Sequence, residues 1–219
     1  MTDLKVVCIS DTHNQLDTLN IPDGDVLVHA GDFSMMGTEE EVVKFFEDFS
    51  ALPHYVKICI AGNHDFMPEK DPGGFRALLP LGITYLEDTS VTIEGVKFYG
   101  TPWVQNLPRW AFNIDDVKER AKKWEMIPDD VDVLITHGPP YGILDLLKYP
   151  RAGEDPHVGC SALNYEVLER IKPKYNVFGH IHEARSTRKI GETTFINASI
   201  LDEKYRIKNE PYIFNIGEE

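Results

Sequence analysis

Cysteine is scarce in this chain. Cys8, Cys59 and Cys160 are the whole complement of 219 residues, and no two of them are close in sequence. An odd, scattered set excludes a disulfide framework and a Cys-built zinc site, and it points to a reducing compartment. Basic residues are also few: Lys plus Arg number 22 against 36 Asp plus Glu, a formal charge of −14. That deficit speaks against a protein that holds long nucleic acid by broad phosphate neutralisation. A small anionic substrate is still allowed, because divalent ions in a pocket would reverse the local field. No apolar run approaches membrane-spanning length, and only Met1 to Leu4 precede the first apolar run, so neither a span nor a signal peptide is expected. Repeats, low-complexity stretches and linkers are missing too. One domain over residues 1–219, located in the cytoplasm, is the expectation.

What the chain does have is a series of short apolar, β-branched runs: Val6–Ile9, Val26–Val28, Val56–Ile60, Val131–Ile135 and Tyr175–Phe178. Runs of this length read as strands buried on both faces. Helical patterns alternate with them. Thr38 and Glu41 have capping-box spacing, and Val42, Phe45, Phe46 and Phe49 follow on one helical face. Asn113 and Asp116 precede a second stripe of Val117, Ala121 and Trp124; Ser161 opens a third with Leu163, Val167, Leu168 and Ile171. A short helix is also expected between Pro72 and Pro80. Two hairpins are expected, one turning at Glu94-Gly95 and one at Gly191-Glu192, with a last strand over Tyr212–Ile216. The count suits an α/β fold of two mixed sheets packed face to face with helices outside.

Directly after each of the five apolar runs stands a polar signature: Asp11-Thr-His13, Gly31-Asp32, Gly62-Asn63-His64-Asp65, Thr136-His137-Gly138 and Gly179-His180-Ile-His182. In open α/β sheets the carboxyl ends of parallel strands lie along one edge, where ligand crevices form. Carboxylate, amide oxygen and imidazole would converge there, a donor set for hard-to-borderline divalent ions such as Mn²⁺, Fe or Zn²⁺, with no thiolate among it. One such dipeptide alone means little; five in order, each after a strand, point to a two-metal site.

The order Asp-x-His, Gly-Asp, Gly-Asn-His-Asp, His, Gly-His-x-His resembles the calcineurin-like metallophosphoesterases over Val6 to Ile216. A closer likeness is to their metallophosphoesterase-domain-containing, brain-expressed subfamily, through His29-Ala-Gly-Asp32, Tyr99-Gly-Thr-Pro-Trp103, Thr136-His-Gly-Pro-Pro140 and Val177 to Glu183. The resemblance implies a four-layer α/β/β/α sandwich and two divalent metal ions, manganese first, with iron, zinc, nickel or cobalt as alternatives. By resemblance, Asp11, His13, Asp32 and His182 hold one ion, and Asp32, Asn63, His137 and His180 the other. Some animal members carry glycine at the position of His180, so its presence here implies that both ions bind. The implied reaction is phosphoester hydrolysis by a bridging hydroxide, with His64 acting on the leaving oxygen and Asp65 orienting His64.

Substrate readings are broader. A small phosphoester, with cyclic or small nucleotide diesters first, is favoured over a monoester, and a non-catalytic scaffold is the rival from another class. Trp103 is assigned to the pocket rim, Tyr141 to the leaving-group side, and His157 to a loop over residues 151–160 that either overhangs the pocket or is solvated. Arg109, Trp110 and Cys160 are assigned to packing, His29 to a packed, hydrogen-bonded position, and His54 to a surface turn.

Overall fold

The computed structural model describes residues 3–150, 153 and 155–217. Among these residues, eleven strands fall into two sheets. The first has the order β11-β1-β2-β3-β4, built from β1 (Leu4–Ile9), β2 (Val26–Ala30), β3 (Val56–Ile60), β4 (Ile83–Tyr85) and β11 (Tyr212–Ile216). β1 through β4 run parallel, and β11 closes the edge antiparallel to β1. The second sheet has the order β5-β6-β7-β8-β10-β9, from β5 (Thr89–Ile93), β6 (Val96–Thr101), β7 (Val133–Thr136), β8 (Tyr175–Phe178), β9 (Thr187–Ile190) and β10 (Thr193–Asn197). Its four inner strands are parallel and its two edges are antiparallel hairpin partners. The first hairpin turns where expected, with Glu94 and Gly95 both at positive φ (46° and 83°), as a tight two-residue turn requires.

Alternation along the strands creates the layers. Val6, Cys8, Val28, Ile58 and Ile60 of one sheet meet Phe98, Val133, Ile135, Val177 and Ile196 of the other in a shared core. The opposite faces, Val7, Ile9, Leu27 and Cys59 on one side, pack under Val42, Phe45, Phe46 and Phe49 of α1 (Glu39–Ala51) and Phe75 of α3 (Pro72–Leu78). Leu134, Phe178 and Phe195 on the other pack under Trp124 of α4 (Val117–Glu125) and Leu163 of α5 (Ser161–Tyr165). This is the four-layer α/β/β/α arrangement. A short α2 (Phe66–Lys70) precedes α3, and α5 continues as a π-helical turn over Glu166–Ile171 that buries Val167 and Ile171.

Two expectations need correction. The cap of α4 is Asp116, whose carboxylate accepts from the amides of Lys118 and Glu119 (both 2.9 Å), and not Asn113, whose side chain accepts from Leu107 instead. The register therefore shifts, and Val117 is exposed while Arg120 joins Trp124 on the buried side. His54 is buried, bonded through Nε2 to the carbonyl of Pro22 at 3.0 Å. Of the 151–160 loop, Arg151, Ala152 and Glu154 lie outside the described residues.

Candidate metal centre

The signatures meet at the carboxyl ends of β1, β2, β3, β7 and β8. The first sheet supplies Asp11, His13, Asp32 and Asn63; the second supplies His137, His180 and His182. The chain must turn sharply at each exit. Asp11, His13, Asp32 and His180 all take positive φ (54°, 40°, 54° and 68°), a conformation that costs a non-glycine residue roughly 1–2 kcal/mol. The turns are held by main-chain bonds across the loops, Asp11 to the carbonyl of Gly31 (3.0 Å) and His13 to that of Asp32 (3.1 Å). Gly31, at φ 95°, also has no space for a side chain: a Cβ there would stand 2.6 Å from Nδ1 of His137. Four strained residues in one cluster of ligand types mark a functional site.

Ligand atoms fall into three overlapping groups, each within 4.8 Å: His13, Asp32 and His64 form one, and flanking it are Asp11, His13 and His182, and Asp32, His137 and His180. Oδ2 of Asp32 sits between them, 3.7 Å from Nε2 of His13 and 3.3 Å from Nε2 of His137. Oδ1 of Asn63 lies 3.1 Å from Nε2 of His137, and Nε2 of His182 lies 3.4 Å from Oδ1 of Asp11. The arrangement suits divalent cations. Nδ1 of His13, His137 and His182 is bonded to the carbonyls of Ser34, Ala30 and Asp202 at 3.0, 2.9 and 3.0 Å, which turns each Nε2 toward the cluster. Nε2 of His13 is buried with no hydrogen-bond partner among the described residues. A carboxylate shared by two imidazole-bearing groups, with no thiolate, is the donor set of hard-to-borderline ions.

Charge is concentrated here. Burial raises the carboxyl of Asp11, but His182, His137 and His13 outweigh it and hold it well below the usual range; Asp32 is lowered in the same way, chiefly by His137. Burial works against protonation of His137 and His182, yet the neighbouring carboxylates bring both up to about 9. Their protons are the ones a cation displaces on binding. His180, buried beside His137, is pushed down to about 3.

His64 stands at the edge of the cluster, its ring 4.6 Å from that of His13 and 4.3 Å from that of Trp110. Its Nδ1 is bonded to the carbonyl of Met35 at 2.7 Å. Asp65 does not orient this ring, contrary to expectation. Its carboxylate accepts from the amides of Gly62 (2.8 Å), Phe33 (3.3 Å) and Ser34 (2.9 Å) and from the hydroxyl of Ser34 (2.6 Å). It joins the β2 and β3 exit loops to each other.

Of the three residues assigned to substrate, Trp103 shares the lining of a narrow cavity with His180, while Tyr141 and His157 belong to a separate hydrogen-bonded group. The indole Nε1 of Trp103 donates to Asp88 (2.9 Å to Oδ2), and Lys123 covers its ring at 4.1 Å. Nδ1 of His157 is bonded to buried Asp145 at 2.6 Å, the hydroxyl of Tyr141 to Asp155 at 2.7 Å, and the two rings are 5.4 Å apart. No hydrogen bond or ring contact joins either to the seven among the described residues.

The aromatic walls are instead Trp110, whose ring is tilted against His64 and stacked on Phe66, and Tyr205, whose ring lies 4.8 Å from His13 and 5.3 Å from His182. Sequence reasoning missed Tyr205, which comes from a turn organised by Asp202 far from any signature. It also missed Ser199, whose hydroxyl donates to Oδ2 of Asp11 at 2.7 Å. The position of Ser199 just beyond β10 was a usable signal, since the other site residues also follow strand ends.

Fold and site define a two-sheet protein with clusters of candidate metal ligands at its strand ends. The family model for calcineurin-like phosphoesterases matches residues 4–184, and the chain belongs to that family. It is 40% identical over 228 residues to UPF0046 protein K07C11.7 of Caenorhabditis elegans, covering 97% of this chain and 75% of that protein. It is 37% identical over 234 residues to human metallophosphoesterase domain-containing protein 1, covering 97% and 71%. Among solved structures, TT1561 of Thermus thermophilus shares the fold, with a TM-score of 0.61 at 12% identity over 98% of this chain and 99% of that one. Among the described residues no helix is long and apolar enough to cross a membrane.

Proposed function

We propose that this phosphoesterase is a phosphodiesterase for small diesters, cyclic or linear and of nucleotide type, working with two divalent ions, manganese first. The observation that supports this most is the convergence of Asp11, His13, Asp32, Asn63, His137, His180 and His182 beside His64, whose Nδ1 is committed to the carbonyl of Met35. Asp11, His13, Asp32 and His182 would hold one ion and Asp32, Asn63, His137 and His180 the other. The ions would supply polarisation of the phosphoryl oxygens and a nucleophile at neutral pH.

The chain supplies the rest. The carbonyl of Met35 accepts from Nδ1 of His64 whether or not the ring is charged, so Nε2 is the atom that carries a transferable proton. Its place beside His13 aims that proton at the leaving oxygen. Trp110 and Tyr205 give the crevice apolar walls suited to an organic arm on the phosphate, which a diester has on both sides and a monoester on one.

Manganese-loaded protein should cleave a bis-aryl phosphate faster than the mono-aryl ester; the reverse order overturns the diesterase reading in favour of a monoesterase. His64→Ala should keep its metal content and lose turnover by roughly 10²–10⁴-fold. Metal depletion in that variant would show His64 to be a ligand. Asp32→Asn should lose metal, and a panel of phosphoesters on which wild type matches this control would favour the scaffold reading.

A further inference from the structure

Asp11 is held by a short segment that crosses from one sheet to the other. Beyond β10 the chain is bonded first to the second sheet, Ala198 N to the carbonyl of Phe178 (2.7 Å), and then to the first, Ile200 N to the carbonyl of Ser10 (3.0 Å). Ser10 and Ser199 pair there as parallel neighbours. Asn197 and Ser199, both buried, thus stand between β1, which leads to Asp11, and β8, which leads to His180 and His182.

Their side chains reach both ligand loops. Oγ of Ser199 lies 2.7 Å from Oδ2 of Asp11 and 2.8 Å from Oδ1 of Asn197. A hydroxyl has a single proton, and it goes to the ionised carboxylate, where the charge-assisted bond is the stronger one. Oδ1 of Asn197 keeps the amide of Ser199 (3.1 Å), and Nδ2 donates to the carbonyl of Ile181 (2.8 Å), the residue between His180 and His182. The amide of His180 reaches back to Asp11, 3.0 Å from each carboxylate oxygen. Gly179 permits that approach, because a Cβ there would stand 2.0 Å from Oδ2 of Asp11.

A carboxylate offers about four lone-pair positions. Ser199 and His180 fill those of Oδ2, and His180 takes one on Oδ1. The position left is on Oδ1, the oxygen 3.4 Å from Nε2 of His182. We propose that Ser199 and Asn197 are positioning residues for the metal centre. Ser199 occupies Oδ2 of Asp11, so this ligand presents only Oδ1 to its cation, and Asn197 fixes the turn that carries His180 and His182 against it. The inference rests on the two-cation reading of the site and is independent of the substrate. Bonds that orient a ligand from outside are worth about 10–100-fold in metal affinity.

The test reads binding and needs no turnover. Zinc affinity is measured by competition with a chromophoric chelator in wild type, Ser199→Ala, Asn197→Ala and Ser10→Ala. Ser10 is the control: its hydroxyl is equally buried and adjacent to Asp11, but it donates to the carbonyl of Gly31 (3.3 Å) and to no ligand side chain. Ser199→Ala should weaken the ion held by Asp11 by about 10–100-fold, and Asn197→Ala should weaken both, since Ile181 lies between a ligand of each. Ser10→Ala should keep the affinity of wild type whatever its Tm in chelator. In cobalt-loaded protein the visible absorption should change in Ser199→Ala, where Asp11 is free to offer both oxygens, and stay unchanged in Ser10→Ala. Wild-type affinity in Ser199→Ala and Asn197→Ala, or an equal loss in Ser10→Ala, overturns the assignment. If wild type itself takes up no zinc or cobalt, the metal reading falls instead.

Discussion

Asp65 shows how much one buried carboxylate does at this site without touching substrate or ion. Burial and the nearby charge of Asp32 push its pKa up to about 7, with the Ser34 hydroxyl and the amides of Gly62 and Ser34 pulling the other way. Ionised, it accepts four hydrogen bonds and locks Phe33 and Ser34 to Gly62. Ser34 in turn presents the carbonyl that orients His13. In Asp65→Asn the amide keeps the shape but offers one acceptor oxygen, and its NH₂ faces N–H donors. The loss should be about 3 kcal/mol at pH 8, a fall in Tm of roughly 6–12 °C for a chain of this length. Metal content should fall with it, while turnover per bound ion stays near wild type because Met35 still holds His64. Lost turnover with Tm and metal content unchanged would put Asp65 back on the ring of His64.

At the level of elements, α1 was fully legible because every signal agrees. Its capping box is complete, with Glu41 N donating to Thr38 Oγ1 (3.3 Å) and Thr38 N to Glu41 Oε2 (3.1 Å), and its apolar stripe is the buried face. α4 was legible only in part, since Asn113 and Asp116 are both acceptable caps and only packing against Trp103 and the second sheet selects between them. The role of α1 reaches the site through Phe45. Its ring stacks on Phe33 at 4.3 Å and on Phe49 at 5.0 Å, and Phe33 lies between Asp32 and Ser34. Phe45→Ala should cost about 3–5 kcal/mol in urea unfolding and weaken metal retention as the β2 exit loop loses its support. A loss below about 1 kcal/mol would mean that the loop does not depend on α1 packing.

For the whole molecule, the two-sheet sandwich was readable because buried parallel strands are written as continuous apolar runs, and the convergence of the carboxylate and imidazole side chains because each follows such a run. Trp110 and Tyr205 were not, because loop side chains meet only after the sheets have packed, and no periodicity records that meeting. The same packing buries histidines outside the metal centre. His29 is enclosed among Phe33, Phe45 and Phe49 with Nε2 bonded to the hydroxyl of Thr12 at 2.9 Å, and burial pushes it down to about 3 against the pull of Asp11 and Asp32. Unfolded, its pKa returns to about 6.5. Below that pH the unfolded chain takes up a proton that the folded chain refuses, so this contribution to stability is complete above about 6.5 and is lost as pH falls toward 3. Between pH 6.5 and 4.5 the loss approaches about 2.7 kcal/mol, at 1.36 kcal/mol per unit. His29→Gln removes the titrating group and keeps an N–H for Thr12. The variant should therefore be less stable than wild type at pH 7, and its deficit should shrink by about 2–3 kcal/mol by pH 4.5 when both are unfolded in chelator. The histidines of the candidate metal centre titrate equally in the two proteins and cancel in the difference, so a deficit that stays constant over this range would show that His29 is already protonated in the folded state.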